Sequence, residues 1–451
     1  MSAQNQLGKC LSARKPHRVN ISFECMIRRV KIENYKSLKK AEIGFQKLTV
    51  VFGPNAAGKS NLFDALNLVS RLVTCKNLKE AFDGHRGLPL EAVNYTSGTF
   101  ADLLKQGSHR MRFEIDVELT KRVVAEVEHR IRELRKGIDT PLVEGAGEKS
   151  RITHTLLRYS VELEINSQSG IMRVTDEKLS ALRQDAKTEK ASRRPFLEKV
   201  GTKLHLRMEG QAHPIMHEMG LDYTIASSSL YAPHYPHLTA FREEMARCHF
   251  YYFEPRELMR EANAIAEVER LGSRGEQLAA FYHTLKQKSP QQFNALKLAA
   301  RQLLPRLQDI EIQRTERAEL FLLIHEDGAA YSNRLISEGT LRVLGLLAAL
   351  SPSSGSTTVG YEEPENGVHP RRLRLIAELI KNASKGDAQI LINTHSPVLP
   401  AYFEDSQLLI CQRESGSTSF VPFACVDGEL FRGRDIERNL EERIVRGDYG
   451  G

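Results

Sequence analysis

Residues 53–60 read Gly53-Pro54-Asn55-Ala56-Ala57-Gly58-Lys59-Ser60, two glycines five apart with a lysine and a serine directly after the second. That spacing suits the grip of a phosphate chain. The glycines let successive backbone N–H groups turn toward one anion, and a helix opening at the lysine adds its positive end. Lys59 would neutralise the outer phosphates, Ser60 would offer its hydroxyl to Mg²⁺, and Asn61 completes the stretch of candidate nucleotide contacts.

Three further clusters could complete such a site. At residues 357–363, TTVGYEE ends an apolar run in paired acids. Glu362 would stand near the metal, through a water, while Glu363 would orient and deprotonate an attacking water. Ser337-Glu338-Gly339-Thr340 reads as a serine-capped helix start before the apolar residues 341–350. His395 follows the strand-like residues 388–393 and carries a side chain that titrates near neutrality. Taken singly, the acids also suit a solvated surface and the histidine an ordinary loop.

The elements that must position these residues are legible in part. Residues 26–32, 41–45 and 47–52 have strand character, the third apolar enough to be buried. After the loop, Leu62, Ala65, Leu66 and Val69 repeat near 3.6 and predict a helix over residues 61–73. The strict alternation of MRFEIDVE (111–118) and TLLRYSVELEIN (155–166) predicts an antiparallel sheet. Between them, residues 121–136 form an amphipathic helix with six basic and three acidic side chains, followed by the linker-like GIDTPLVEGAGEKSR. Residues 183–203 hold seven basic and three acidic side chains, and residues 210–252 show no clear period. Helical spacing returns after residue 275, then strand-like residues 310–313 and 320–325.

Composition narrows the setting. At 451 residues the chain is long enough for two or three domains, and 41% hydrophobic with 27% charged residues is ordinary for a soluble protein. A net charge of +7 permits contact with DNA without requiring it. No segment has the ~18 consecutive apolar residues of a membrane span. The six cysteines include no CxxC pair, which fits a reducing, cytoplasmic location. Residues 1–25 are polar and basic with no secretory apolar stretch, so the folded part is expected to start at Met26, and the leader to be disordered or a mis-called start.

In order and spacing, VKIENYKSLKKAEIGFQKLTVVFGPNAAGKSNLFDAL, LISEGTLRVLGLLAAL, YEEPENGVHP and ILINTHSPVLPAYF resemble an ABC-type ATPase domain of the RecF/SMC/OLD kind. The resemblance implies an α/β P-loop NTPase fold, an ATPase head with a peripheral antiparallel sheet and a helical or irregular middle insertion. It divides the chain into a leader (1–25), an N-terminal lobe (26–118), an insertion of helix and strand serving as a partner or nucleic-acid surface (119–254), a C-terminal lobe (255–410) and an extension (411–451). Ser337, Glu338, Gly339 and Thr340 become the signature motif, acting in trans on the ATP of a second copy, so that two nucleotides are sandwiched in a homodimer. Glu363 and His395 become the catalytic base and switch histidine. Pro364, Glu365 and Asn366 fall in the D-loop, and His369 is structural. Gln106 is the candidate Q-loop ligand of Mg²⁺, with Ser60 and Glu362.

Two departures separate this chain from membrane transporter subunits: Glu362 stands where many such domains have Asp, and the signature reads ISEGT. OLD relatives carry a TOPRIM nuclease with a paired-Asp metal site. The residues after His395 hold no DxD, so a nuclease of that type is not expected here. Two functions stay open: an ATP-gated regulator of a separately encoded effector in anti-phage defence, and an ATP-dependent DNA clamp in repair or recombination. A P-loop kinase would leave Ser337–Thr340 and His395 without use. The basic segments 121–136 and 183–203 could follow a DNA backbone or be solvated helix faces. HPIMH (213–217) and HYPH (234–237) could bind metal or line a partner surface.

Overall fold

The computed structural model describes residues 26–95, 98–136, 150–183, 193–211, 213–414 and 416–426. The expected leader, most of the linker after residue 136 and the middle of the basic segment 183–203 lie outside them. Eighteen strands are described: β1 (Ile27–Tyr35), β2 (Leu38–Gly44), β3 (Leu48–Phe52), β4 (Ser108–Glu118), β5 (Leu156–Asn166), β6 (Met172–Ala181), β7 (Leu197–Val200), β8 (Lys203–Arg207), β9 (Pro214–Glu218), β10 (Cys248–Tyr251), β11 (Asn263–Ala264), β12 (Leu307–Arg314), β13 (Glu319–Glu326), β14 (Ala329–Ser332), β15 (Thr358–Glu362), β16 (Gln389–Thr394), β17 (Leu408–Glu414) and β18 (Ser417–Pro422). They form three sheets.

The central sheet runs β10-β15-β16-β3-β17-β18 and is parallel except for the last hairpin. Its inner strands are apolar on both faces because both are covered. Val51, Leu391 and Leu409 join one core with the helices Lys59–Thr74 and Pro236–Met245, while Val50, Ile392, Tyr361 and Leu408 join a second with Leu278–Lys288, Glu338–Ala349 and Leu373–Ser384. Gly58 precedes the first of these helices in left-handed geometry, at the end of the loop that follows β3. A parallel sheet gathers loops at the carboxyl ends of its strands, and here those ends carry residue 53, Glu362 and His395.

The peripheral antiparallel sheet is larger than the alternation in β4 and β5 predicted. Its order is β2-β1-β4-β5-β6-β7-β8-β9. The insertion, expected to be helical and β, holds the helices Lys121–Lys136 and Pro236–Met245 together with strands β5 to β10, and the border at residue 118 falls between two paired strands, β4 and β5. A register shift at Glu162/Leu163 breaks the period of the β5–β6 pair, and β7 to β9 are short and half exposed, which hid them from period counting. Likewise, the expected border at 410 cuts through β17, whose hairpin with β18 completes the central sheet.

Buried polar side chains lock these parts together. The Gln389 carboxamide accepts from Ile27 N–H (2.9 Å) and donates to the carbonyls of Ile27 (2.9 Å) and Gln46 (3.0 Å), joining the two large sheets. His237 is fully buried with Nδ1 2.8 Å from Glu209 and Nε2 accepting from the N–H groups of Thr153 and His154 (both 3.1 Å). It is an internal brace, and among the described residues no group of three His, Cys, Asp or Glu could hold a metal ion. No described helix is long and apolar enough to cross a membrane.

Glu177 on β6 is also fully buried, accepting from the N–H groups of Ile225 (2.7 Å) and Ala226 (3.0 Å) and from the Tyr159 hydroxyl (3.0 Å). Burial outweighs those bonds and pushes its carboxyl up to about 7. A folded-state pKa above the unfolded one gives stability that is complete below the unfolded value and lost as pH rises through 7. Between pH 5 and 8 the wild type should lose roughly 3 kcal/mol through this group, and Glu177→Gln should flatten the profile. Thermal melts across that range check it, and parallel profiles for the two proteins would refute it.

Candidate functional site

The loop at residues 53–58 is held open by backbone that only particular residues tolerate. Gly53 (φ 148°), Ala56 (φ 61°) and Gly58 (φ 109°) all take positive φ. A Cβ on Gly53 would lie 2.1 Å from the Cys411 carbonyl oxygen, and one on Gly58 2.3 Å from Thr418 Oγ1 and 2.6 Å from Ser37 Oγ. Both glycines are therefore required by close packing as well as by φ. Lys59 is 2% exposed, and its Nζ donates to the carbonyls of Gly53 (2.7 Å) and Pro54 (2.8 Å). Burial pulls its pKa down to about 8.

The back of the loop is built by residues that sequence reasoning missed. The Thr418 hydroxyl donates to the Ala57 carbonyl and lies 2.6 Å from Ser37 Oγ, and Arg413 reaches the Ala56 carbonyl at 3.3 Å. Asn61 faces this side: its amide donates to Ser37 Oγ at 2.7 Å. Of the nine expected nucleotide contacts, then, Asn61 has its side chain engaged behind the loop. Only the hairpin β17–β18 and the turn before β2 bring these groups together, so no local pattern marks them.

On the acid side, Ser60 Oγ donates to Glu362 Oε2 at 2.9 Å, across 302 residues of sequence. The other Glu362 oxygen takes the Arg86 guanidinium, which also meets Asp64 (3.1 Å) and lies 4.2 Å over the Tyr252 ring. Asp64 in turn pairs with Lys36 at 2.7 Å. Gln106, the expected metal ligand, is exposed at the end of the helix Phe100–Lys105 and is not brought to the acids. The loop at 84–87 reaches Glu362 instead, with Arg86 as its contact. A basic residue between two glycines was the only sequence signal, and a weak one.

Glu363 is the first residue past β15 and takes φ 54°, a strained value for a side chain of its size. Its N–H is fixed on the Asn393 carbonyl (2.9 Å), and the left-handed turn aims the carboxylate at His395, Oε1 to Nε2 2.9 Å. The Asn366 amide donates to its second oxygen. The bond to His395, with that of Asn366, holds the Glu363 carboxyl below the usual carboxylate range despite partial burial. Glu365 clasps the histidine loop from below: Oε1 accepts from Thr394 Oγ1 (2.6 Å) and from the N–H groups of His395 and Ser396 (both 3.0 Å).

Ser337 caps the helix Glu338–Ala349, its hydroxyl accepting from Thr340 N–H at 3.1 Å. Glu338 pairs with Arg256 on the surface. Gly339 packs so tightly on the turn after the acids that a Cβ would lie 2.3 Å from the Gly367 carbonyl oxygen. Among the described residues, no hydrogen bond or ion pair joins Ser337–Thr340 to the loop at 53–60. His369 accepts from Arg371 N–H at 3.3 Å in an exposed turn, a structural contact.

The donor set suits Mg²⁺ and a phosphate chain. A hydroxyl and a carboxylate 2.9 Å apart offer hard oxygen ligands while leaving other positions to water and phosphate. The loop offers positive-φ backbone at Gly53, Ala56 and Gly58, the conformation from which N–H groups can turn toward one anion, and a buried ammonium.

Two protein-family models match the chain: an "AAA ATPase domain" over residues 26–213, and an "AAA domain, putative AbiEii toxin, Type IV TA system" over residues 222–401. An ATP/GTP phosphatase of Helicobacter pylori is 46% identical over 68 residues, 14% of this chain and 18% of that protein. The human structural maintenance of chromosomes protein 1B is 32% identical over 114 residues, 22% of this chain and 9% of that protein. The chain thus spans less than a fifth of either relative. Solved structures similar to it include an Smc head bound to the C-winged helix domain of ScpA (12% identity, 88% of this chain and 97% of that one, TM-score 0.48) and the SMC head domain from Thermotoga maritima (14%, 88% and 99%, TM-score 0.37). The two family models between them take in both lobes, so the chain carries AAA-type ATPase domains over residues 26–213 and 222–401.

Proposed function

We propose that this ATPase works as a dimer with two ATP molecules sandwiched between copies, and that its closing and opening gate a separately encoded effector in anti-phage defence. The observation that carries the catalytic reading is the Glu363–His395 pair, 2.9 Å apart, standing beside the Ser60–Glu362 contact on neighbouring strand ends.

In this reading the loop N–H groups and Lys59 hold the β- and γ-phosphates of the substrate. Glu363, ionised at neutral pH, takes a proton from a water whose oxygen attacks the γ-phosphorus as the bond to ADP breaks. His395 fixes the carboxylate for that transfer, and Glu365 fixes His395. A Mg²⁺ ion held by Ser60 and Glu362 would neutralise charge on the phosphate oxygens. The Ser337 helix start presents free N–H groups and a positive end, the chemistry needed to grip a γ-phosphate on the facing copy. Gly339 against Gly367 would couple that grip to the loop carrying Glu363.

Two features favour the gated-effector version. The family description over residues 222–401 names a putative toxin of a toxin–antitoxin system. The helix Lys121–Lys136 also has at least two of its six Lys and Arg side chains paired with acids of this chain: Arg122 with Glu126 (2.9 Å) and Arg130 with Glu243 (2.7 Å). The likeness to a chromosome-maintenance protein favours the second version, a DNA clamp.

Lys59→Ala should abolish the rise in melting temperature that ATP causes. Glu363→Gln should keep ATP binding, slow hydrolysis by about 10²–10⁴-fold, and accumulate a dimer visible by light scattering. Hydrolysis at the wild-type rate would remove Glu363 as the base, and a monomer at saturating ATP would remove the trans contact of Ser337. Duplex or single-stranded DNA should leave the ATPase rate unchanged under the gating reading. A salt-sensitive stimulation would instead select the clamp.

A further inference from the structure

Asn393 is fully buried on β16, yet neither its Nδ2 nor its Oδ1 has a hydrogen-bond partner among the described residues. Other buried polar groups of this strand are satisfied: the Gln389 carboxamide makes four contacts, and Thr394 Oγ1 donates to Glu365. A buried amide left wholly unpaired is costly and uncommon. Its position says what it is for.

In the parallel register Asn393 lies between Glu362 on β15 and Val51 on β3. In-register residues of parallel strands point to one face, with strands ~4.8 Å apart. For these three it is the face covered by the helix Lys59–Thr74, because Val51 packs in the same core as Leu62 and Leu66. Glu362 meets Ser60 at the first turn of that helix. The Asn393 backbone is fixed as well, its carbonyl accepting Glu363 N–H. The unpaired amide is therefore one strand from the metal-side carboxylate.

We propose that Asn393 is a positioning residue for the metal side of the ATP site: its carboxamide holds metal-bound water between Glu362 and the phosphates. The inference rests on the ATP reading above. Mg²⁺ gives up its waters reluctantly, and each is a strong hydrogen-bond donor. Oδ1 supplies an acceptor for such a water, and Nδ2 a donor to Glu362 or a phosphate oxygen. Outer partners of this kind are typically worth about 10–100-fold in metal affinity.

The test uses the full chain, with ATPγS as probe, titrated with Mg²⁺ or held in EDTA. Asn393→Leu, close in volume and without polar atoms, should melt at or above the wild-type temperature in the absence of nucleotide. Its ATPγS affinity in EDTA should match the wild type, while half-saturating Mg²⁺ rises about 10-fold or more. Unchanged Mg²⁺ dependence overturns the proposal, as does a Leu variant that melts lower and is restored by Asn393→Gln, which would mark a structural amide. If the leucine does not fit, Asn393→Thr should raise half-saturating Mg²⁺ several-fold with unchanged binding in EDTA; no rise there also overturns it. A wild-type chain that binds no ATPγS under either condition would refute the ATP reading itself.

Discussion

The close approach between the loop at residues 53–58 and the hairpin β17–β18 is the constraint on which the site depends. Gly53 lies against the Cys411 carbonyl and Gly58 against Thr418 and Ser37, with no room for a side chain at either place. Three chain segments far apart in sequence therefore fix the loop before any ligand arrives. The cost is backbone in unfavourable φ at Ala56, and the buried sheet around β3 holds it there.

From that fixed loop the other groups follow by strand order. β16 lies between β3 and β15, so His395 and the paired acids emerge beside the loop at residues 53–58. Glu362 and Glu363 are consecutive yet serve different neighbours, one Ser60 and the other His395, because the left-handed turn at Glu363 rotates its carboxylate away. The site is mostly assembled from hydrogen bonds between charged and polar groups in low dielectric, where each is strong and each unmet one is costly. That contrast gives the unpaired amide of Asn393 its meaning.

The eight-stranded sheet plays a different part. It is attached to the central sheet through Gln389 and the shared core beneath the helix Lys59–Thr74. Its far strands, β7 to β9, are short, with Ile215 and Met216 exposed on β9. His237, which lies in the HYPH stretch with a possible metal or partner-surface reading, is an interior polar brace of this half, as is Glu177.

The sequence by itself determined the chemistry that depends on local geometry: a loop of GxxxxGK[ST] pattern between a strand and a helix, a serine cap at Ser337, acids at a strand end, and the alternation of β4 and β5. Such features are set by backbone sterics and side-chain period over a few residues. Tertiary structure alone decided that Arg86 and not Gln106 meets Glu362, that Thr418 and Ser37 support the loop, and that the strands of residues 119–254 from β5 to β9 join β4 in one sheet. These contacts join residues tens to hundreds of positions apart. Long-range pairing is fixed by the packing of whole sheets, which leaves no period in the local sequence to read.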